Sequence, residues 1–224
     1  MVYKLIIIEK SQIALLYFKN KLISLIMEHT LYRVNDIYLG KISSVLSSLD
    51  AAFVILNPVS KNGFISFNHF RDGLNFDCPT MSTNKNILAQ IIREPTGTKG
   101  PTLSCDINLL GKYMVILPFS KSIQTSKKVE IESNKEYLRA IGHLLINPKE
   151  MGIIVKLKTT NANINFLIRE IQVLKSRWRK ITKKAYEKPK PSLITKRKVF
   201  LHKILQDYAN LNFNFIVIDS HEGA

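Results

Sequence analysis

Cysteine is nearly missing from this sequence: Cys78 and Cys105 stand far apart, with no CxxC pair. The histidines, His29, His69, His143, His202 and His221, are scattered along the chain. Neither a disulfide framework nor a zinc site of ordinary ligand spacing is expected, and the expected compartment is a reducing one. Long apolar runs are also missing. No stretch reaches the roughly 18 apolar residues that a spanning helix needs, so no membrane span is expected. The opening "MVYKLIIIEK" is interrupted by Glu9 and Lys10 before it reaches signal-peptide length, and no small-residue cleavage site follows; the mature protein is expected to begin at Met1. Carboxylates are scarce. Asp36, Asp50, Asp106, Asp207 and Asp219 sit singly, with no DxD pair to hold magnesium for phosphodiester cleavage, and no nucleophile with its base can be nominated.

What the chain has instead is positive charge. Its 33 basic residues outnumber 17 acidic ones, for a formal charge of +16 over 224 residues. Such an excess points to a polyanionic partner, whether nucleic acid, ribosome or an anionic membrane surface, without choosing among them. The length suffices for one large domain or two to three small ones.

Hydrophobic periodicity divides the chain. Met1 to Lys10 predicts a buried strand, and Ser11 to Arg33 fits a helix or strands equally well. From Ile37 to Gln90 the texture is one of short β-branched or aromatic runs, IYLGKISSVL, AAFVIL, GFISF and ILAQIIRE, punctuated by turn residues, which predicts a small β-barrel or sandwich. Asp72 to Lys85 reads as a loop. Beyond Pro118 a helix is expected over Lys135 to Ile146 and a strand over Met151 to Leu157. The clearest helix begins near Asn163, because Ile164, Leu167, Ile168, Ile171, Leu174, Trp178 and Ile181 recur at three- and four-residue spacing. A Pro-rich break, "EKPKPS", ends it, and Lys198 to Ala209 predicts another helix leading into the strand "FNFIVIDS".

Three features carry chemistry. Among the expected strands, Tyr38, Phe53, Phe64 and Phe67 stand near Lys41, Arg93 and Lys99 in sequence. Oligonucleotide-binding barrels combine aromatic faces for bases with cations for phosphates in this way, although the same aromatics also suit a core. The loop "GTKG" is not a triphosphate loop, since Gly97 and Gly100 are too close, Lys99 precedes the second glycine and Pro101 follows it. It reads as a tight turn offering one ammonium, either to a phosphate or to solvent. Finally, Arg169 to Lys203 holds thirteen Lys or Arg against Glu170 and Glu187, either a solvated face or an electrostatic footprint.

Read in order, the stretches "NDIYLGKISSVLSSLDAAFVILNPVSKNGFISFNHF", "REPTGTKGPTLSCDINLLGKYMVILP", "SKKVE", "MGIIVK", "LKSRWRKI" and "PSLITKRKVFLHKILQDYANLNFNFIVIDS" resemble the ribonuclease E/G family in both sequence and spacing. The resemblance covers nearly the whole chain. It implies an α+β fold in which an OB-fold RNA-binding β-barrel, 35–105, is inserted into an RNase H-like subdomain, 1–34 and 191–224, and is followed by a 5′-sensor subdomain, 106–190. It further implies a magnesium-dependent endoribonuclease that cuts single-stranded RNA and prefers a 5′-monophosphorylated end. Carried over by position, Phe53, Phe64 and Lys99 are the expected RNA contacts, and Gly111, Val115 and Lys156 lie at the 5′-phosphate position.

Two departures follow from the same resemblance. Where the family has an Arg-Thr pair, this chain has Lys156 and Leu157, so a bidentate fork becomes a point charge and a hydroxyl is lost. The family's catalytic aspartates, which bind Mg2+, and the zinc link joining its protomers fall beyond residue 224. The chain is therefore expected to supply RNA binding and 5′-end sensing only, as a fragment or a short form, with a homo-oligomer or RNA-degradation complex as the full-length assembly. The alternative is a non-catalytic RNA-binding or ribosome-associated protein. Heavy use of Lys, Asn and Ile is what AT-rich coding yields and points to a plastid, with bacterial cytoplasm as the alternative.

Overall fold

The apolar amino-terminal run forms β1 (Tyr3–Ile8), which continues into β2 (Ile13–Phe18) and β3 (Lys21–Met27) as an antiparallel meander. Of the segment that fitted helix or strands equally well, 13–18 and 21–27 are thus strands. Its ambiguity came from apolar residues at both parities: Ala14 and Leu16 are buried while Ile13 and Leu15, on the other face, are only partly covered. What decides for a hairpin is Lys19-Asn20, whose φ values of 45° and 62° place both central residues of a two-residue turn in the left-handed region. The computed structural model describes residues 3–9, 11–27, 32–70, 82–188, 191–196, 200–208 and 211–219. They fall into two units, Met1–Leu31 with Arg197–Ala224, and Tyr32–Lys196.

The second unit opens with the barrel. Strands β4 (Ile37–Leu46), β5 (Ala51–Ile55), β6 (Gly63–Ser66), β7 (Asn86–Arg93) and β8 (Thr102–Ser104) are ordered β4-β5-β6-β8-β7, and β7 returns to pair with β4. All neighbours are antiparallel except β6 and β8, which run parallel. A closed five-stranded barrel of this order fits the oligonucleotide-binding fold. Its interior is filled by Ile42, Val54, Ile65, Ile87, Ile91 and Leu103, each fully buried. Most of the loop expected over Asp72–Lys85 lies outside the described residues.

A second core sits beside the barrel within the same unit. Strands β9 (Leu109–Leu110), β10 (Met114–Leu117), β11 (Ile123–Thr125) and β12 (Gly152–Val155) form a sheet ordered β11-β12-β10-β9, covered by α1 (Glu132–Leu145) and α2 (Ile164–Glu187). Helix α1 begins a turn earlier than the apolar periodicity alone indicates; Glu132 at its start pairs with Lys135 at 2.8 Å. Asn163 caps α2 by accepting the Asn165 amide at 2.9 Å, and Leu167, Ile171, Leu174 and Ile181 bury the expected stripe. Trp178 meets Phe119 edge to face at 5.4 Å. Strand β4 serves both cores, because alternate residues leave a strand on opposite faces: Ile37 and Leu39 enter the second core and Tyr38 the barrel.

After the Pro-rich break comes a strand that the sequence did not announce, β13 (Ser192–Thr195), laid antiparallel on β4. Its partner is remote in sequence, and four residues show no readable period. The chain then re-enters the first unit as α3 (Phe200–Asp207) and β14 (Phe213–Ile218). Phe200 and Ile204 pack on Leu5, Ile7 and Leu16, and β14 lies parallel to β1, giving the sheet order β14-β1-β2-β3.

Candidate nucleic-acid interface

Strands β5 and β6 place Phe53 directly across from Phe64. Strand alternation sends Ala52 and Val54 into the barrel core and Phe53 outward, where 37% of it is exposed. The two rings stand 6.1 Å apart at 69°, an edge-to-face arrangement that supports each without covering its outer surface. They line a groove of about 720 Å³ whose rim is made by two loops, Lys61 and Asn62 on one, Thr98 and Lys99 on the other.

The second loop is "GTKG". Thr96 and Lys99 exchange both backbone hydrogen bonds, at 2.9 and 3.2 Å, closing a two-residue turn. Gly97 occupies its first central position with φ of 51°, a conformation that costs glycine nothing and other residues something. The Phe64 amide donates to Pro101 at 2.8 Å, and the Lys61 ammonium donates to the Gly97 carbonyl, so both loops are fixed to the aromatic pair. Lys99 remains exposed at the mouth. The groove can therefore take a planar ring against Phe53 and Phe64 and an anion at Lys99. Lys61 and Asn62 were missed from the sequence because their nearness to the turn is tertiary.

The other strand aromatics do not join this groove. Tyr38 is buried in the barrel core, with Tyr32 at 5.5 Å, while Phe67 lies exposed in the turn after β6. Burial, and after it the charges of Asp36 and Tyr32, push the Tyr38 hydroxyl well above the usual tyrosine range.

A second constellation gathers at the turn between β9 and β10. The Gly111 amide donates to the Met114 carbonyl at 2.8 Å, and the Gly111 carbonyl accepts from the Lys156 ammonium at 2.5 Å. Val115 follows in β10, paired with Leu110 and Ile154; its side chain is buried, so it can offer a ligand only its backbone. The tip amides of Tyr113 and Met114 are taken by Glu170 of α2, at 3.0 and 3.3 Å to Oε1. Left without a partner, each such buried amide would cost about 1–3 kcal/mol. The Tyr113 carbonyl accepts from the Lys156 amide and the Thr159 hydroxyl, both at 2.9 Å. Leu157 is half-exposed and adds no polar group.

Helix α2 turns its other face outward. Arg169, Lys180 and Lys184 recur on it, and Phe166 and Val173 are exposed between them. Lys175 lies 3.7 Å from Glu150 and Lys183 lies 3.8 Å from Glu187, whereas Arg169, Arg179, Lys180 and Lys184 meet no acid among the described residues. Among those residues no three His, Cys, Asp or Glu side chains come together as a metal site would require, and no helix is long and apolar enough to cross a membrane. The described residues thus offer magnesium no fitting ligand set.

A model of the ribonuclease E/G family matches residues 108–224. The chain belongs to the ribonuclease E/G family. Ribonuclease E of Synechocystis sp. is 30% identical over 225 residues, which are 98% of this chain and 33% of that protein. A ribonuclease E/G-like protein of Pyropia yezoensis is 34% identical over 207 residues, 89% of this chain and 40% of that protein, and one of Porphyra purpurea is 33% identical over 219 residues, 94% and 42% respectively. The chain thus spans between a third and about two fifths of these ribonuclease E/G relatives. The barrel lies ahead of the residues matched by the family model but inside the alignments to the relatives.

Proposed function

We propose that this chain is the RNA-binding and 5′-end-reading part of a ribonuclease E/G-type endoribonuclease of RNA processing and decay, with the cleaving carboxylates supplied by polypeptide other than these residues. The Phe53–Phe64 pair in one groove with Lys99 is the observation that carries the reading: two outward aromatics and an ammonium at the rim suit a base and its phosphate in single-stranded RNA. Gly111, the Val115 backbone and Lys156 are proposed to border a 5′-phosphate, as a single ammonium in place of a guanidinium fork. The proposed subdomains are 1–34 and 191–224, RNase H-like; 35–105, the barrel; and 106–190, the sensor. The sheet order β14-β1-β2-β3, with three antiparallel strands and a parallel fourth, supports the first. Magnesium as cofactor and a homo-oligomer or degradation complex are proposed for the full-length protein only. A plastid location is supported by the red algal relatives, and bacterial cytoplasm by the cyanobacterial ones.

The test is binding of a short single-stranded oligonucleotide measured across a salt series. Affinity should fall steeply with salt, by about 0.7 log units per log unit for each phosphate held. Phe53→Ala with Phe64→Ala should weaken binding tenfold or more, as expected from about 1–3 kcal/mol per stacked base. That loss should exceed the loss from Lys99→Ala; salt-independent binding, or no loss from the double change, sinks the reading.

A second reading is a non-catalytic RNA-binding or ribosome-associated protein whose α2 docks on structured RNA. The four α2 cations without acid partners among the described residues favour it.

A further inference from the structure

Gly111 has a peculiarity that its place in a tight turn does not explain. Its backbone is not in the left-handed region, yet a Cβ there would overlap the Glu170 Oε1 atom and lie 2.8 Å from its Cδ and 3.0 Å from Leu174 Cδ1. The carboxylate of α2 fills the space that a side chain would take, so a methyl at this position would displace it. That same carboxylate holds the amides of Tyr113 and Met114, accepting the Tyr113 amide through both oxygens at 3.0 and 3.2 Å. On the other side of Gly111, its carbonyl receives the Lys156 ammonium. Helix, turn and cation are thus joined by contacts: the Glu170 carboxylate holds the turn amides, and the Gly111 carbonyl of that turn accepts from Lys156. The Lys156 amide and the Thr159 hydroxyl, both on the Tyr113 carbonyl, lock the turn from the β12 side.

We propose that Glu170 is the positioning residue of this site, holding the Gly111–Met114 turn and through it the Lys156 ammonium in the place where a terminal phosphate is read. The phosphate half of this statement rests on the 5′-end reading proposed above. Glu170 touches no RNA; its carboxylate acts through the backbone. A four-carbon lysine stem is flexible, and a point charge gives no directional fork, so a fixed carbonyl helps to hold the Lys156 charge in one place. Discrimination between phosphorylated and unphosphorylated ends is therefore sensitive to Glu170, while general RNA affinity, which belongs to the barrel groove, is not.

Two measurements on the full chain test this. The first is amide hydrogen exchange at Tyr113 and Met114, which needs no RNA. Glu170→Gln should accelerate exchange at both amides, Glu170→Asp should do so less, and Gly111→Ala should mimic Glu170→Gln because its methyl displaces the carboxylate. Unchanged exchange in Glu170→Gln overturns the proposal. The second is the ratio of dissociation constants for 5′-hydroxyl and 5′-monophosphate forms of one single-stranded oligonucleotide. Glu170→Gln should lower that ratio several-fold towards one, with the constant for the 5′-hydroxyl form unchanged within twofold and partial recovery in Glu170→Asp. Parallel weakening of both RNAs marks a merely structural role and overturns the proposal, as does a ratio that rises, since Glu170 would then be repelling phosphate. A ratio of one in the unsubstituted chain overturns the 5′-end reading itself, and the exchange result then decides alone whether Glu170 positions the turn.

Discussion

Phe53 and Tyr38 are both aromatics on strands of one barrel, yet only Phe53 can meet a ligand, because strand parity turns it out and turns Tyr38 in. Sequence spacing named both as candidates and had no means to separate them, since parity has meaning only once the register is known. The buried Tyr38 carries a consequence for stability. Its folded-state pKa is raised above the unfolded value of about 10 by burial and by Asp36 and Tyr32. Below about pH 10 the hydroxyl is protonated in both states and its full contribution is present; above that, the unfolded state ionises first and stability falls. Thermal melting should therefore lose stability as pH rises above about 10, and Tyr38→Phe should flatten that decline; an identical slope in both proteins would refute the assignment. Lys99 is the opposite kind of residue. Its place at the groove mouth follows from Gly97 and the turn it closes, a local feature that "GTKG" displays openly.

Among the elements, α2 shows how much a long period can reveal. The buried residues Leu167, Ile171, Leu174 and Ile181 are the stripe that spacing predicts, and Trp178 is partly buried against Phe119. Ile164 and Ile168, at the edge of the same stripe, are nonetheless about half exposed. Charge counting named Glu170 as one of two acids offsetting the helix cations. In the folded chain it faces the β9–β10 turn instead, and the outer face keeps its positive charge. If α2 docks on structured RNA, Lys180→Glu with Lys184→Glu should weaken binding of a hairpin bearing a single-stranded tail. It should leave a short single-stranded oligonucleotide bound as before and reduce the salt slope for the hairpin. Equal effects on both ligands would instead make these lysines part of the general field of the protein. The strand β13 marks the other limit: four residues are too few to show a period, and only their pairing with β4 makes them a strand.

For the whole molecule, the balance of charge suits a polyanionic partner, and the chain belongs to the ribonuclease E/G family. Incubated with magnesium and a 5′-monophosphorylated oligonucleotide, this chain alone should bind without cutting; cleavage by the 224 residues would show that a catalytic set exists here after all. What the sequence by itself determined is local: the helix stripe of α2, the β-rich stretch that closes into a barrel, the glycine turn, and the ordered blocks that carry the family resemblance. These are legible because period, turn chemistry and composition act between near neighbours. Only the tertiary structure decided that 13–18 and 21–27 are strands, that Lys61 ties its loop to Gly97, and that Glu170 and Lys156 meet on the two sides of Gly111. Those pairings join residues 36 to 59 positions apart, or depend on which face of a strand is covered. No window along the chain is long enough to contain them.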